Sequence, residues 1–267
     1  MASSTGLKIL TLLKWVPSIS QDLTINENGK SIKTEGLVYE LNEYDNYALE
    51  EALRLKEEHI NSNVTVLTVG SVSSQEALYI GLAKGADEAI HILCETSELD
   101  AWATADILAK LINTISIDYD LILTGLESVD AKEGQVGVLL AEKLHLPHVS
   151  AVINIEIKNR NATVNRELGG GVVETLEIPL PAVFSIMSSK NPPRYASITR
   201  IRMARRKQVR FLVLKDIDLS DEQIRPKIKI LNLVTPKREK SVEIITGETV
   251  QDVAKTLIKA LMEKGVL

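Results

Sequence analysis

Residues 63–93 read NVTVLTVGSVSSQEALYIGLAKGADEAIHIL, and this stretch decides the fold. Residues 63–69 alternate less than a one-sided strand would and stop at Gly70, the pattern of a buried strand. Ser73 followed by Glu76 is a capping-box pair, and the helix it opens is predicted to close at Gly85, a residue suited to a left-handed C-cap. Residues 88–93 form a second short strand. Strand, helix and strand within roughly thirty residues make a parallel crossover unit.

The same alternation continues in both directions. Upstream, residues 7–13 are an apolar run broken by one Lys and one Thr, and they read as another buried strand. Leu23-Thr24-Ile25, Asn28-Gly29 and Ser31-Ile32 predict a small hairpin, because Asn-Gly tolerates positive φ. Asn42 opens a helix, with Asp45 three residues on as an imperfect capping box. Tyr44, Ala48, Ala52 and Leu55 recur at helical spacing, and Glu50, Glu51, Glu57 and Glu58 are predicted to face water. Downstream come a helix over 99–113, a strand over 121–124 ending in Gly125, and a helix over 134–144. The expected class is α/β, a doubly wound, mostly parallel sheet with helices on both faces. Ligands in such folds bind outside the carboxyl ends of the strands, here the loops after Leu13, Val69 and Thr124.

The second half changes character. Residues 151–157, 162–168 and 172–178 read as an antiparallel meander that ends in a strand over 182–186. From about residue 215 the apolar stretches are short and scattered, Pro226 and Pro236 interrupt them, and one amphipathic helix lies near 250–262. Such a tail buries little against itself. It either docks on another chain, the favoured reading, or hangs free. The expected division is therefore an α/β body over 1–214 and an arm over 215–267.

Composition excludes several classes of function. A net charge of −5 argues against non-specific binding to nucleic acid or to an acidic membrane. No apolar run has the length of a membrane span, and residues 1–8 lack the pattern of a signal peptide, so a cytoplasmic protein is expected. The single cysteine, Cys94, excludes an internal disulfide and any multi-cysteine metal site. Aromatic residues are only 4%, so the core must be aliphatic. His145 and His148 flank Pro147, which separates them, and no metal site is expected from the four histidines. No nucleophile elbow or charged dyad stands out by spacing, so no catalytic residue is assigned.

The best candidate site is the loop Gly125-Leu126-Glu127-Ser128-Val129-Asp130-Ala131-Lys132-Glu133-Gly134-Gln135-Val136-Gly137. It follows a strand and opens a helix, so its backbone N–H groups could meet a phosphate; plain turn chemistry is the competing reading. Gly169-Gly170-Gly171 reads as a turn. Residues 200–210 (RIRMARRKQVR) carry six basic side chains and no acid, either a solvated face or a docking patch for an acidic group.

Six segments, in order along nearly the whole chain, resemble the β subunit of electron-transfer flavoproteins. Lys8-Ile9-Leu10 through Lys14-Trp15-Val16-Pro17 is similar to the family's opening strand and loop. Leu41-Asn42-Glu43-Tyr44-Asp45, leading into Ala48-Leu49-Glu50-Glu51-Ala52, resembles its Asn-Pro-aromatic-Asp element, in the variant of members that serve amine dehydrogenases. Gly81-Leu82-Ala83-Lys84-Gly85-Ala86-Asp87, Arg166-Glu167-Leu168-Gly169-Gly170-Gly171, Pro181-Ala182-Val183 and Pro193-Arg194-Tyr195-Ala196-Ser197 complete the set, the last being the most specific.

The resemblance implies a non-catalytic electron carrier that works as a heterodimer. Its α subunit would hold most of the redox FAD, and this chain would bury a structural AMP. By position that nucleotide would contact Leu12, Asn42, Glu43, Tyr44, Asp45, Val69, Gly70, Gly125, Asp130, Lys132, Glu133, Gly134, Gln135, Val136 and Gly137. The implied partners are the α subunit, a flavin dehydrogenase and an acceptor oxidoreductase or quinone pool. A recognition loop would comprise Ser188, Ser189, Lys190, Asn191, Pro192, Pro193, Arg194 and Tyr195. Lys190 stands where the family commonly has Leu or Ile; an unpaired ammonium in an apolar pocket costs on the order of several kcal/mol, which argues against the usual acyl-CoA dehydrogenase docking. Bifurcating members carry a second FAD in place of AMP and oxidise NADH there. Tyr44-Asp45, Lys190 and Gln135-Val136-Gly137 lean that way, whereas Glu133 replaces a hydroxyl and would repel a diphosphate unless Lys132 offsets it. AMP is the favoured occupant, and a stand-alone nucleotide-binding module is the reading outside redox chemistry.

Overall fold

The computed structural model describes residues 6–94, 99–115, 119–220, 222–236 and 242–266. Aliphatic runs became strands: β1 (Lys8–Leu12), β4 (Asn63–Gly70), β5 (Glu88–Leu93) and β6 (Leu121–Gly125). Two short strands, β2 (Trp15–Pro17) and β3 (Tyr39–Leu41), pair as a separate antiparallel ribbon after β1. The Asn28-Gly29 hairpin between them is reduced to one bridge, Ile25 to Ile32.

Helices α1 (Glu43–Glu58), α2 (Gln75–Lys84), α3 (Ala101–Ile115) and α4 (Val136–Leu144) alternate with these strands. Beyond them lie β7 (His148–Lys158), β8 (Asn161–Gly169), β9 (Val172–Pro179), β10 (Ala182–Ile186), α5 (Ile198–Ala204), β11 (Arg210–Val213) and α6 (Val250–Glu263). The sheet runs β11-β5-β4-β1-β6-β10-β7-β8-β9. It is parallel from β11 to β7, while β8 and β9 pair antiparallel as an extension. One core lies under α1 and α2, with Leu49, Leu53, Leu78 and Phe184; the other lies under α3 and α4, with Leu10, Ile92, Ile107 and Leu140. The chain steps from β1 to β4 and β5 on one side, then returns to β6 on the other, so the switch point is the crevice between the carboxyl ends of β1 and β6.

Several local expectations are corrected. β10 does not close the meander; it inserts between β6 and β7, parallel to both. All five of its residues are buried, the mark of a central strand covered on two faces. Ser73 does not cap α2. Residues Val72–Ser74 form a 3-10 turn, and the helix begins without a side-chain cap bond. Asn42 occupies the N-cap of α1, but no capping bond forms, because its amide and the Asp45 carboxylate are bonded elsewhere. Glu50 and Glu51 do not face water: they are 5% and 2% exposed, and basic side chains meet them there. Past Ile224 most apolar side chains described in the arm, among them Ile228, Ile230, Leu231, Val242 and Ile244, are exposed, and α6 has no buried residue among those described.

Candidate nucleotide crevice

The crevice is held together by two side chains at the start of α1. Asp45 sits in the first turn with both oxygens turned to the sheet: Oδ2 accepts the Lys14 N–H at 2.7 Å and Oδ1 accepts the Gly125 N–H at 3.1 Å. One carboxyl thus staples the strands on either side of the switch point. The approach is so close that a Cβ on Gly125 would stand 2.2 Å from Asp45 Oδ1 and 2.8 Å from its backbone nitrogen. Asn42 binds the next part of the loop, donating from Nδ2 to the Glu127 carbonyl at 2.9 Å and accepting the Val129 N–H on Oδ1 at 3.1 Å. A side-chain amide offers that donor and acceptor on two separate atoms, whereas an aspartate carboxylate only accepts and could not replace it.

Lys14 closes the crevice from the end of β1, its ammonium donating to Asp130 Oδ1 at 2.8 Å and to Ser128 Oγ at 3.1 Å. Burial raises the Asp130 carboxyl, but the Lys14 charge and the hydrogen bonds from Lys14 and Ser128 leave it below the ordinary range. Lys132 has φ of +53° and Gly134 +61°, which turns the loop into α4. Helix α4 starts with no side-chain cap and no acidic residue in its first turn, so its leading N–H groups and positive dipole end stay available to an anion. Glu133 does not face that turn alone; its Oε2 accepts the Ala101 N–H at the head of α3 at 3.1 Å, so one of its oxygens is engaged on that helix.

Under α4 lies a polar cluster that sequence reading did not find. The Thr124 hydroxyl donates toward Ser185 Oγ at 3.0 Å, and Ser185 Oγ shares a hydrogen bond with His148 Nε2 at 2.9 Å. Gly137 passes directly above, and a Cβ there would stand 2.3 Å from Ser185 Oγ and 2.9 Å from Thr124 Oγ1. These residues come from three separate strands, so no spacing signal could reveal them. Lys14 was legible as part of the opening motif but not as a closing residue.

The structure brings Leu12, Asn42, Asp45, Gly125 and Gly137 together at the carboxyl edge with Val69 and Gly70 from β4. Glu43, Asp130, Lys132, Gly134 and Gln135 are exposed at its rim, and Tyr44, Glu133 and Val136 are partly buried. The Gly70 carbonyl is already engaged, accepting the Cys94 N–H at 3.0 Å. The segment of Ser188, Ser189, Lys190, Asn191, Pro192, Pro193, Arg194 and Tyr195 follows β10 and packs on α1. Ser189 Oγ donates to Glu51 Oε2 at 3.0 Å, and the Arg194 guanidinium is turned inward onto Glu50 and Glu57. Lys190 is exposed and reaches Glu156 at 3.8 Å, and Tyr195 is 80% exposed.

Two buried groups oppose one another in pH dependence. Burial pushes Asp45 from 3.8 up to about 7, against the hydrogen bonds from Asn42, Lys14 and Gly125 and the Lys14 charge. A raised carboxyl favours the fold below the unfolded value, and that contribution is lost as pH rises to about 7. Burial pushes His148 from 6.5 down to about 4, so its contribution is complete above 6.5 and is lost as pH falls to about 4. Between these limits the contributions of the two groups have opposite slopes. Asp45→Asn is expected to leave stability rising with pH over that window, and His148→Gln to leave it falling, each by at most about 1.4 kcal/mol per pH unit. Denaturant titrations at several pH values check this; parallel curves for both variants and the parent would refute it.

Comparison with known proteins gives one consistent picture. Residues 30–216 match the electron transfer flavoprotein domain. The chain is 32% identical to the electron transfer flavoprotein subunit beta of Bacillus subtilis, over 97% of this chain and 99% of that one. It is 34% identical to the subunit of the same name from Methylophilus methylotrophus, over 82% of this chain and 83% of the relative. It is also 33% identical to the caffeyl-CoA reductase-Etf complex subunit CarD of Acetobacterium woodii, over 98% and 100% of the two chains. Among the described residues, no helix is long and apolar enough to cross a membrane.

Proposed function

The chain belongs to the electron transfer flavoprotein family as a subunit of the beta type, and from that premise we propose that it is the scaffold half of a two-subunit carrier that binds AMP in the crevice between β1 and β6. The observation that carries this reading is the Asp45 staple. It fixes the ends of β1 and β6 around a loop whose helix begins without a cap. Leu12, Tyr44 and Val69 supply apolar surface for an adenine, and the first turn of α4 supplies N–H groups for a phosphate. The flavin, held mainly by an alpha-type partner, supplies the one- and two-electron chemistry when bound. The residues of this chain bind, orient and exclude water. The arm over 215–267, with its exposed apolar side chains, is the segment proposed to pack on that partner. The segment Ser188 to Tyr195 is proposed to meet a flavin dehydrogenase, with an acceptor oxidoreductase or the quinone pool downstream, in the cytoplasm.

Two observations favour a second reading. Glu133 is tied to the head of α3, which weakens the charge that would oppose a diphosphate, and one relative is named as part of a reductase complex. A bifurcating carrier would hold a second FAD here and oxidise NADH. The test is the nucleotide content of the purified heterodimer. One FAD and one AMP released on denaturation support the first reading, and AMP at one hundred times its Kd then adds about 2.7 kcal/mol of stability. Two FAD with reduction by NADH would replace it with the second. A chain that purifies alone as a stable monomer with its tail protected from protease would count against both.

A further inference from the structure

The beginning of the arm is tied down at two places around the carboxyl-end rim. Asp100 heads α3, where its Oδ1 accepts the Ala103 N–H at 2.8 Å as an N-cap. Its second oxygen, Oδ2, accepts the backbone N–H groups of Lys227 and of Ile228, the latter at 3.0 Å. A few residues on, the Leu233 N–H donates to the Gly29 carbonyl at 2.7 Å. Gly29 lies in the hairpin inserted between β2 and β3, with φ of +68°, and a Cβ there would stand 3.0 Å from Asn232 Oδ1.

These anchors belong to separate parts of the fold. Helix α3 covers the same face of the sheet as α4, whereas the hairpin is an excursion of the chain that leaves β1 for α1. Residues 227–233 therefore cross the rim from one to the other. The head of α3 is also bonded to the phosphate-side loop, since Ala101 donates to Glu133 and its neighbour Asp100 holds the crossing segment. Two consecutive residues thus join the loop and the strap. The strap is not there to bury itself: Lys227, Ile228, Lys229, Ile230 and Leu231 are all exposed. What fixes it is main-chain hydrogen bonding at its two ends. Burial opposes the charge on Asp100, yet the donors from Ala103, Ile228 and Lys227 leave its carboxyl below the ordinary range, as a carboxylate with several partners requires.

We propose that residues 227–233 form the outer wall of the nucleotide site, and that Asp100 is the positioning residue that seats them. The inference rests on the nucleotide reading above. The strap brings Ile228, Ile230 and Leu231 to the rim as apolar cover for a purine, and Lys227 and Lys229 as charge of the sign that suits a phosphate. Release of the nucleotide then requires the start of the arm to lift, which links nucleotide retention to the segment that leads to the partner.

The experiment uses the full chain in complex with its alpha-type partner, with AMP as the probe. Adding AMP to the nucleotide-stripped complex is expected to slow amide exchange at residues 228–233. Asp100→Ser keeps an N-cap hydroxyl for Ala103 but loses the oxygen that holds Lys227 and Ile228. AMP is expected to leave that variant at least ten times faster, with the flavin content and the melting temperature of the nucleotide-stripped complex close to those of the parent. If Asp100→Ser does not fold, Ile228→Pro removes one donor and leaves the carboxylate intact, and the same acceleration is expected. An unchanged release rate, in a variant whose strap amides exchange faster, would overturn the wall. A parent complex that binds no AMP would overturn the nucleotide reading and this inference with it.

Discussion

Gly125→Ala is expected to destabilise the chain by about 4 kcal/mol, roughly the sum of overpacking and a displaced buried carboxyl. The new methyl would meet Asp45 Oδ1 at 2.2 Å, the Asp45 backbone nitrogen at 2.8 Å and Tyr44 Cβ at 2.8 Å. None of these can retreat cheaply. The nitrogen and Cβ belong to the first turn of α1, and the carboxyl is held by Lys14 and by Gly125 itself. Moving Asp45 away breaks its bonds to both strands, so the crevice opens as the fold weakens. The midpoint of denaturant unfolding is expected to fall with little change in slope, and AMP is expected to lose its stabilising effect. Because the clash and the staple share one side chain, Gly125→Ala and Asp45→Ala should combine with less than the sum of their separate costs. A Gly125→Ala chain with the parent's midpoint would mean that Asp45 does not bridge β1 and β6 as described.

The parallel body was legible because its signals are local. Apolar runs such as residues 7–13 and 63–69 and the closing glycine at 85 each act within a few residues. The insertion of β10 was legible in principle: Ala182, Val183, Phe184, Ser185 and Ile186 lack the alternation of the strands before them, as a strand covered on both faces does. Pairing it with the meander gave weight to its place in the chain over its composition. The site was half legible. The loop after Thr124 follows from strand ends and glycines, whereas the polar cluster beneath it joins Thr124 to Ser185 across 61 positions and His148 to Ser185 across 37. Asn42 and Asp45 look like a capping pair, because local and long-range use of a carboxyl are indistinguishable in sequence. Glu50 and Glu51 carry the same lesson. Charge at helical spacing reads as a wetted face unless the opposing cation is known, and for Glu50 that cation is 144 positions away.

Arg194→Ala is the second large effect, about 3 kcal/mol of stability, and it bears on how the exposed segment around Tyr195 is aimed. Glu50 receives the Arg194 backbone N–H at 2.8 Å, Nε at 3.0 Å and Nη2 at 2.9 Å, and the other arm of the guanidinium reaches Glu57 at 2.7 Å. Removing one partner of a buried pair typically costs about 3–5 kcal/mol because the other is left without its counter-charge. The lower end applies here for two reasons. The main-chain N–H remains, and the Arg194 side chain is 31% exposed, so part of its field is already screened. Glu57 adds little, being mostly solvated. Lys84 responds as well. Burial holds its ammonium down to about 8, with Glu50 raising it and Arg194 lowering it, so loss of the guanidinium lets Lys84 keep its proton more firmly beside Glu50. Arg194→Lys keeps the charge but not the fork, and an intermediate loss is expected. Tyr195→Ala, which removes an exposed ring, should stay within about 0.5 kcal/mol. If the clasp also aims the segment, Arg194→Ala will make residues 188–195 cleavable by protease under conditions where the Tyr195→Ala chain is resistant. Equal midpoints and equal cleavage for the two variants would show that Glu50 does not need Arg194, and that the segment holds its course by other means.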